Sequence, residues 1–188
     1  LGGKHLDYKI YPDIALFGKA IGNGYAISAV IGKSDIMKMA ERTFISSTFW
    51  TERIGSVAAL ATLTEMEKIK SWKIITNIGK KIIKFWNKIS HKHNLDFNFQ
   101  GIETLASFKI NSKNWIKYKT YISQEMLKEG ILASNSVYPC IAHSKSKLDK
   151  YFYCFDKIAS QISDCEQGKN IDEILESPIC IEGFKRYN

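Results

Sequence analysis

Arginine is nearly missing from this chain: Arg42, Arg53 and Arg186 are the only arginines among 27 basic residues. That scarcity argues against a nucleic-acid partner, because the arginine fork is the preferred group for bidentate phosphate and base contacts. The formal net charge of +8 therefore reads as the lysine, isoleucine and asparagine skew of an A+T-rich coding sequence. Cysteine is also sparse, with Cys140, Cys154, Cys165 and Cys180 and no C-x-x-C pair. No histidine stands at zinc-finger spacing from them, so the expectation is free thiols in a reducing cytoplasm. No apolar run approaches the roughly 18 residues of a membrane span. Internal repeats and low-complexity tracts are absent. The opening Leu1-Gly2-Gly3-Lys4 has neither Met nor a signal-peptide pattern, which reads as a cut chain or a partial reading frame. His91 and His93 form a lone H-x-H in a polar stretch and read as a solvated helix end.

What is present is enough apolar material for a core, 45% of 188 residues. That length allows one domain, or a large domain fragment with a small domain attached. Ile14-Ala15-Leu16-Phe17 and the run from Ala26 to Ile31 read as buried strands. Ser34 is placed to cap a short helix through Ala40, and Gly55 to open a longer one with Val57, Leu60, Ala61 and Leu63 near one face. Ile75, Ile78, Ile82, Phe85 and Ile89 recur at three- and four-residue steps. That stripe predicts an amphipathic helix whose apolar side is core. Thr104 to Ile110 alternates like a strand, and Trp115, Tyr118, Ile122 and Met126 mark a helix stopped by Gly130. Ile131 to Ala133 and Val137 to Ala142 read as short strands. Ser146 and Asp149 resemble a capping box for a last helix carrying Leu148, Phe152, Phe155, Ile158, Ala159 and Ile162. The tail after Gly168 has no reading. The order predicts a βαβ-like first part, a long helix and an α+β second part.

The stretch that carries chemistry runs from Pro12 to Gly32. A lysine, Lys19, follows a short apolar strand and precedes Gly22-Asn23-Gly24. The strand fixes the base of the side chain, and the glycines permit close backbone approach and unusual dihedrals. An amine held partly out of water is neutral and nucleophilic more of the time, as a Schiff-base lysine needs to be. A lysine beside glycines at a strand end is also an ordinary surface feature, and the residues alone leave both readings open. The glycines match neither a phosphate P-loop nor G-x-G-x-x-G.

This block resembles the lysine region of class III aminotransferases, with Pro12, Asp13, Gly18, Lys19, Gly22, Gly24 and Ala29 in register. The similarity is to the glutamate-1-semialdehyde aminomutase branch. Asn23 replaces the usual middle glycine and Ala26 the usual proline. The resemblance implies that Lys19 bonds pyridoxal 5'-phosphate and then moves a proton between the substrate carbon and the cofactor. A second block, Ser46-Ser47-Thr48 through Leu63, resembles the family's threonine loop and following helix. It implies that Thr48, with Ser47 and the adjoining backbone, reaches the cofactor phosphate of the other subunit. The block departs from the family at Trp50-Thr51-Glu52-Arg53. There Glu52 and Arg53 read equally as a charge pair near the site or as a salt bridge at a helix start. Val137 to Ser144 resembles the strand before the family's H-[TS] element, with His143 in a structural role.

The resemblance covers about residues 5 to 165. It implies an α/β chain of the fold-type I pyridoxal-phosphate transferase class. Residues 1–75 would form the carboxyl-terminal part of the large cofactor-binding domain, and residues 76–188 the connecting helix and an α+β small domain. It also implies a cytoplasmic homodimer, a small-molecule amino donor and a carbonyl acceptor, with no metal, nucleic acid or membrane. The acidic residue that relatives place against the pyridine nitrogen, their phosphate loop and their ring-stacking aromatic have no counterpart in these 188 residues. The chain therefore reads as a fragment of such an enzyme. The alternative is a non-catalytic remnant or interaction module that keeps the lower half of the fold.

Overall fold

The computed structural model describes residues 3–46, 48–181 and 183. The chain divides into two compact units, Leu1–Ser71 and Trp72–Asn188. No helix among the described residues is long and apolar enough to cross a membrane.

The first unit holds strands β1 (Ile14–Phe17) and β2 (Ala29–Gly32), then helices α1 (Ser34–Met37) and α2 (Arg53–Ile69). Apolar and β-branched residues suit both strands, and both were expected. Their connection was not: β1 and β2 pair antiparallel, with Ile14 opposite Gly32 and Phe17 opposite Ala29. The βαβ expectation fails because the link, residues 18–28, holds one 3-10 turn, Lys19–Ile21, and no crossover helix. A parallel return needs a crossover of about a dozen residues or more, usually helical. At the open end Lys33 closes the pair, its N–H donating to Asp13 O at 3.0 Å and its Nζ lying 2.6 Å from Asp13 Oδ1. The strands are not buried as expected; Leu16 is 76% exposed. A two-stranded ribbon has two faces, and the described residues leave these largely uncovered.

α1 begins at Ser34 itself, with Lys33 as the extended residue before it and no side-chain cap. The expected Ser34 cap is therefore wrong by one position, and the helix passes into a 3-10 turn over Lys38–Arg42. α2 opens at Arg53, earlier than Gly55, and ends at Lys70 in the left-handed conformation. Its expected apolar face is not core: Val57 and Leu60 are exposed, and only Gly55 and Ala59 are buried.

The second unit contains most of α3 (Ser71–Lys92), then β3 (Phe97–Ile102), β4 (Leu105–Ile110), α4 (Trp115–Lys128), β5 (Ser136–Val137) and α5 (Lys145–Glu166). The three strands form one antiparallel sheet in the order β3-β4-β5. Of the α3 stripe, Ile78, Ile82 and Ile89 are buried while Ile75 and Phe85 are half-buried, and Trp86, outside the expected stripe, is buried beside them. Gly79 lets α3 approach the β3–β4 turn, since a Cβ there would lie 1.7 Å from Glu103 O. β3 was not anticipated, although Phe97 and Phe99 alternate with polar residues. Its rings help build an aromatic core, with Phe97 stacked on Phe108 at 4.9 Å and Trp86 edge-on to Phe108 at 4.8 Å. Trp86 Nε1 donates to Tyr151 Oη at 2.9 Å inside that core.

Gly130, at φ +72°, ends α4 as expected. The N–H of Gly130 donates to Leu127 O and that of Ile131 to Met126 O, both at 2.9 Å. These are the paired bonds of a Schellman cap. Ile131 is thus committed to ending a helix, which is why no strand forms over 131–133. The strand expected over 137–142 shrinks to Ser136–Val137, and Pro139, with no N–H to donate, stands just beyond it. α5 is capped by Ser144, whose Oγ accepts from Lys147 N–H, and not by Ser146. Asp149 pairs instead with Lys145, at 2.8 Å. The tail straps across α4. Ile171 is buried, Lys117 pairs with Asp172 at 2.6 Å, Glu176 N–H donates to Gln124 Oε1 at 2.7 Å, and Cys180 N–H donates to Thr120 Oγ1 at 3.0 Å.

Candidate active site

β1 ends at Phe17, Gly18 continues extended, and Lys19 turns the chain with φ +51°. A left-handed lysine is uncommon, since its Cβ crowds the next carbonyl. Lys9 and Lys70 adopt the same conformation, at φ +54° and +53°, so the φ of Lys19 marks a tight turn and does not by itself mark a site. Here the following turn supplies the constraint. Ile21 N–H donates to Gly18 O and Gly22 N–H to Lys19 O, both at 3.3 Å. Gly22 is buried, and a Cβ on it would lie 2.1 Å from Tyr25 O. Asn23 and Gly24 are both left-handed, at φ +46° and +107°. That explains Asn23: asparagine is among the few residues other than glycine that adopt this conformation readily. The Lys19 side chain is exposed, so the amine held partly out of water that the sequence suggested is not seen among the described residues, and the ammonium meets no carboxylate or other hydrogen-bond partner there.

α2 is joined to this loop. A Cβ on Gly55 would lie 2.8 Å from Ala26 O and 3.1 Å from Ile27 Cβ. The first turn of α2 therefore packs directly on the segment after Gly24. Thr48 lies in the turn just before α2 and is exposed, and Glu52 N–H donates to Phe49 O at 3.1 Å. Ser47 lies outside the described residues. No hydrogen bond joins Lys19 to Thr48 among the described residues. Glu52 and Arg53 form no ion pair there either, so neither expected role for them is seen.

His143 is half-buried, and its Nδ1 accepts from Cys140 N–H at 3.1 Å, pinning the turn before the Ser144 cap. The expected solvated helix end holds for His91 but not for His93. His93 Nε2 lies 2.6 Å from Asp156 Oδ1, to which it donates because a carboxylate can only accept. Lys92 Nζ donates to the same carboxylate at 2.6 and 2.8 Å. Burial alone would raise the Asp156 carboxyl, but the bonds from His93 and Lys92 outweigh it and hold the group below its ordinary value. No group of three or more His, Cys, Asp or Glu among the described residues could hold a metal. All four cysteines are free thiols. The left-handed Lys19 escaped the sequence reading, though the Gly18 before it and the Gly-x-Gly after it were its signal.

The model of the family described as Aminotransferase class-III matches residues 3–158. The chain belongs to the class III aminotransferase family. Among curated relatives, the glutamate-1-semialdehyde 2,1-aminomutase of Saccharolobus islandicus (strain L.S.2.15 / Lassen #1) is 30% identical over 175 residues, covering 87% of this chain and 41% of that protein. The 3-aminobutyryl-CoA aminotransferase of Cloacimonas acidaminovorans is 32% identical over 126 residues, covering 66% of this chain and 28% of its own length. The chain thus spans about two fifths of the aminomutase it matches. Among solved structures, the FumI protein of Sphingopyxis sp. MTA144, in a PLP internal aldimine form, superposes with a TM-score of 0.79 at 19% identity, covering 90% of this chain and 42% of that one. An S-selective transaminase from Bacillus megaterium gives 0.74 at 18% identity, over 87% and 41%. These likenesses show the fold of this class III aminotransferase chain, that of the fold-type I pyridoxal-phosphate transferases.

Proposed function

We propose that this chain is the carboxyl-terminal part of a pyridoxal-phosphate-dependent aminotransferase or aminomutase, with Lys19 as the lysine that bonds the cofactor. The observation that carries the reading is the Lys19 loop. A strained, left-handed lysine follows a strand, is fixed by a glycine turn and has an amine with no partner among the described residues. An amine not committed to a carboxylate is what an aldehyde cofactor requires. When bound, pyridoxal phosphate supplies the electron sink for the carbon that gives up its proton. Lys19 Nζ would take the proton from the substrate carbon bearing the amino group and deliver it to the cofactor side, not back to the same carbon, as amino transfer requires. Ser47, Thr48 and the backbone amides ahead of α2 hold the phosphate, since hydroxyls and N–H groups at a helix start suit an anion.

Residues 1–75 serve as the end of the large cofactor-binding domain, and residues 76–188 as connecting helix and small domain. The substrates are a small-molecule amino donor and a carbonyl acceptor, handled in the cytoplasm without nucleic acid or membrane. The longer coverage by an aminomutase favours the glutamate-1-semialdehyde aminomutase-like branch. A homodimer completes each site, with Thr48 serving the partner's cofactor.

Borohydride reduction of the full-length protein with pyridoxal phosphate, followed by peptide mass spectrometry, should place the label on Lys19. Label on another lysine, or undiminished label in Lys19→Ala, would overturn the assignment. For the dimer, Lys19→Ala and Thr48→Ala subunits should each be impaired, while mixed dimers recover about half the activity because one site carries both lesions. No recovery despite demonstrated subunit exchange would return Thr48 to its own subunit.

A further inference from the structure

The loop from Gly130 to His143 leaves a cavity of ≈ 620 Å³ in the second unit, bounded also by Ile82 of α3 and the first turns of α5. Sites for small molecules span roughly 300–1,000 Å³. The walls are largely aliphatic, with Ile82, Ile131, Leu132, Val137 and Leu148. The chief polar side chains are of one kind. No aspartate or glutamate lines the cavity, whereas His143, Lys147, Lys150 and Tyr151 do.

Each of these four has hydrogen-bond donors left to give. His143 Nδ1 accepts from Cys140 N–H, so the ring proton is on Nε2, which has no partner among the described residues. Tyr151 Oη accepts from Trp86, and its own proton has no acceptor there. Burial pushes the Tyr151 phenol far above its ordinary range, so it remains an O–H donor. Lys147 Nζ donates to Ala142 O at 3.0 Å, and Lys150 Nζ to Glu129 O at 2.5 Å. Those carbonyls fix the two amines without neutralising them, and neither amine has a carboxylate partner among the described residues. Lys145, in the same helical turn, is by contrast paired with Asp149 at 2.8 Å.

Fixed cations and spare donors in a cavity that no acidic residue lines are complementary to an anion, and charge-assisted bonds of this kind are the stronger ones. Aliphatic walls suit a hydrocarbon body. We propose that this cavity binds a small carboxylic acid with an apolar body, its carboxylate met by His143, Lys147 and Lys150 and its hydrocarbon by Val137 and Leu148. The site is built wholly from the second unit and stands independently of the Lys19 reading.

Calorimetric titration of the full chain, without pyridoxal phosphate, tests this with three probes. Hexanoate carries both charge and body, hexanamide only the body, and inorganic phosphate only charge. Hexanoate should bind at least tenfold more tightly than either of the others. The double variant Lys147→Met, Lys150→Met should lose at least tenfold for hexanoate and leave hexanamide unchanged. Both lysines are exposed, so the fold should survive; should it not, the His143 ring resonances of the unaltered chain should shift on adding hexanoate. Equal affinity for hexanoate and hexanamide, phosphate binding as tightly as hexanoate, an unaffected double variant, or a silent His143 would each overturn the proposal.

Discussion

Among the described residues, twenty large apolar side chains stand exposed in the first unit, against ten in the longer second unit. Among its described residues the first buries a single apolar side chain, Ala59, whereas the second closes Trp86, Phe108, Tyr118 and Phe155 away almost completely. Both are rich in Ile, Phe and Tyr, so the difference lies in arrangement. In the second unit three long helices and a three-stranded sheet present apolar faces to one centre. In the first, a two-stranded ribbon and one long helix leave theirs outward. Apolar surface on that scale normally marks where other protein packs. Lys19 and Thr48 therefore sit on the part of the chain that holds itself together least.

The sharpest break of that contrast comes from separating the units. Residues 72–188 alone should unfold in one cooperative denaturant transition, and residues 1–71 alone should show none. A cooperative transition in the shorter piece would erase the distinction. The next largest effect is in the core. Phe108→Ala should cost about 3–5 kcal/mol of second-unit stability, since it removes a ring packed against Trp86, Phe97 and Phe155. Leu16→Ala, by contrast, should fall within about 0.5 kcal/mol in the same denaturation assay, as an exposed side chain does. Between these lies Tyr151→Phe, which leaves Trp86 Nε1 buried without its acceptor. It should cost about 1–3 kcal/mol by the same measurement.

A further small effect is on pH dependence. The Asp156 carboxyl is depressed in the folded state, so its contribution is present above the unfolded value, near 3.9, and is lost as pH falls through the lower folded value. Asp156 is a third exposed, so the contribution should be no more than about 1 kcal/mol. Denaturation midpoints of the wild type and Asp156→Asn should differ at pH 6 and converge near pH 2. A constant gap across that range would show that the His93–Asp156–Lys92 cluster is not what the carboxyl titrates against.

Much of the candidate site was legible because it is local. Gly22, where a side chain would meet the Tyr25 carbonyl, and Gly24, at φ +107°, announce a turn, and Lys19 stands at its start. The α3 stripe was legible for the same reason, since a 3.6-residue period is written in consecutive residues. β3 is written only in Phe97 and Phe99 alternating with polar residues, a weaker signal than the stripe of the helix before it. The last cap was misread because Ser144 and Ser146 both offer a hydroxyl, and only the path of the chain selects one.

By itself the sequence determined the family, the helices with a continuous apolar stripe and the glycine-fixed position of Lys19, because each depends on residues a few places apart. The tertiary structure alone decided what covers what. His93 finds its carboxylate 63 residues away, Trp86 finds its acceptor 65 residues away, and Thr120 receives the tail 60 residues on. It alone decided that the strand residues of the first unit lie open, since burial belongs to the neighbour and not to the strand. The cavity beside Tyr151 exists for the same reason: its donors converge from α5 and the loop before it, onto walls completed by Ile82 of α3, and no local pattern records that meeting.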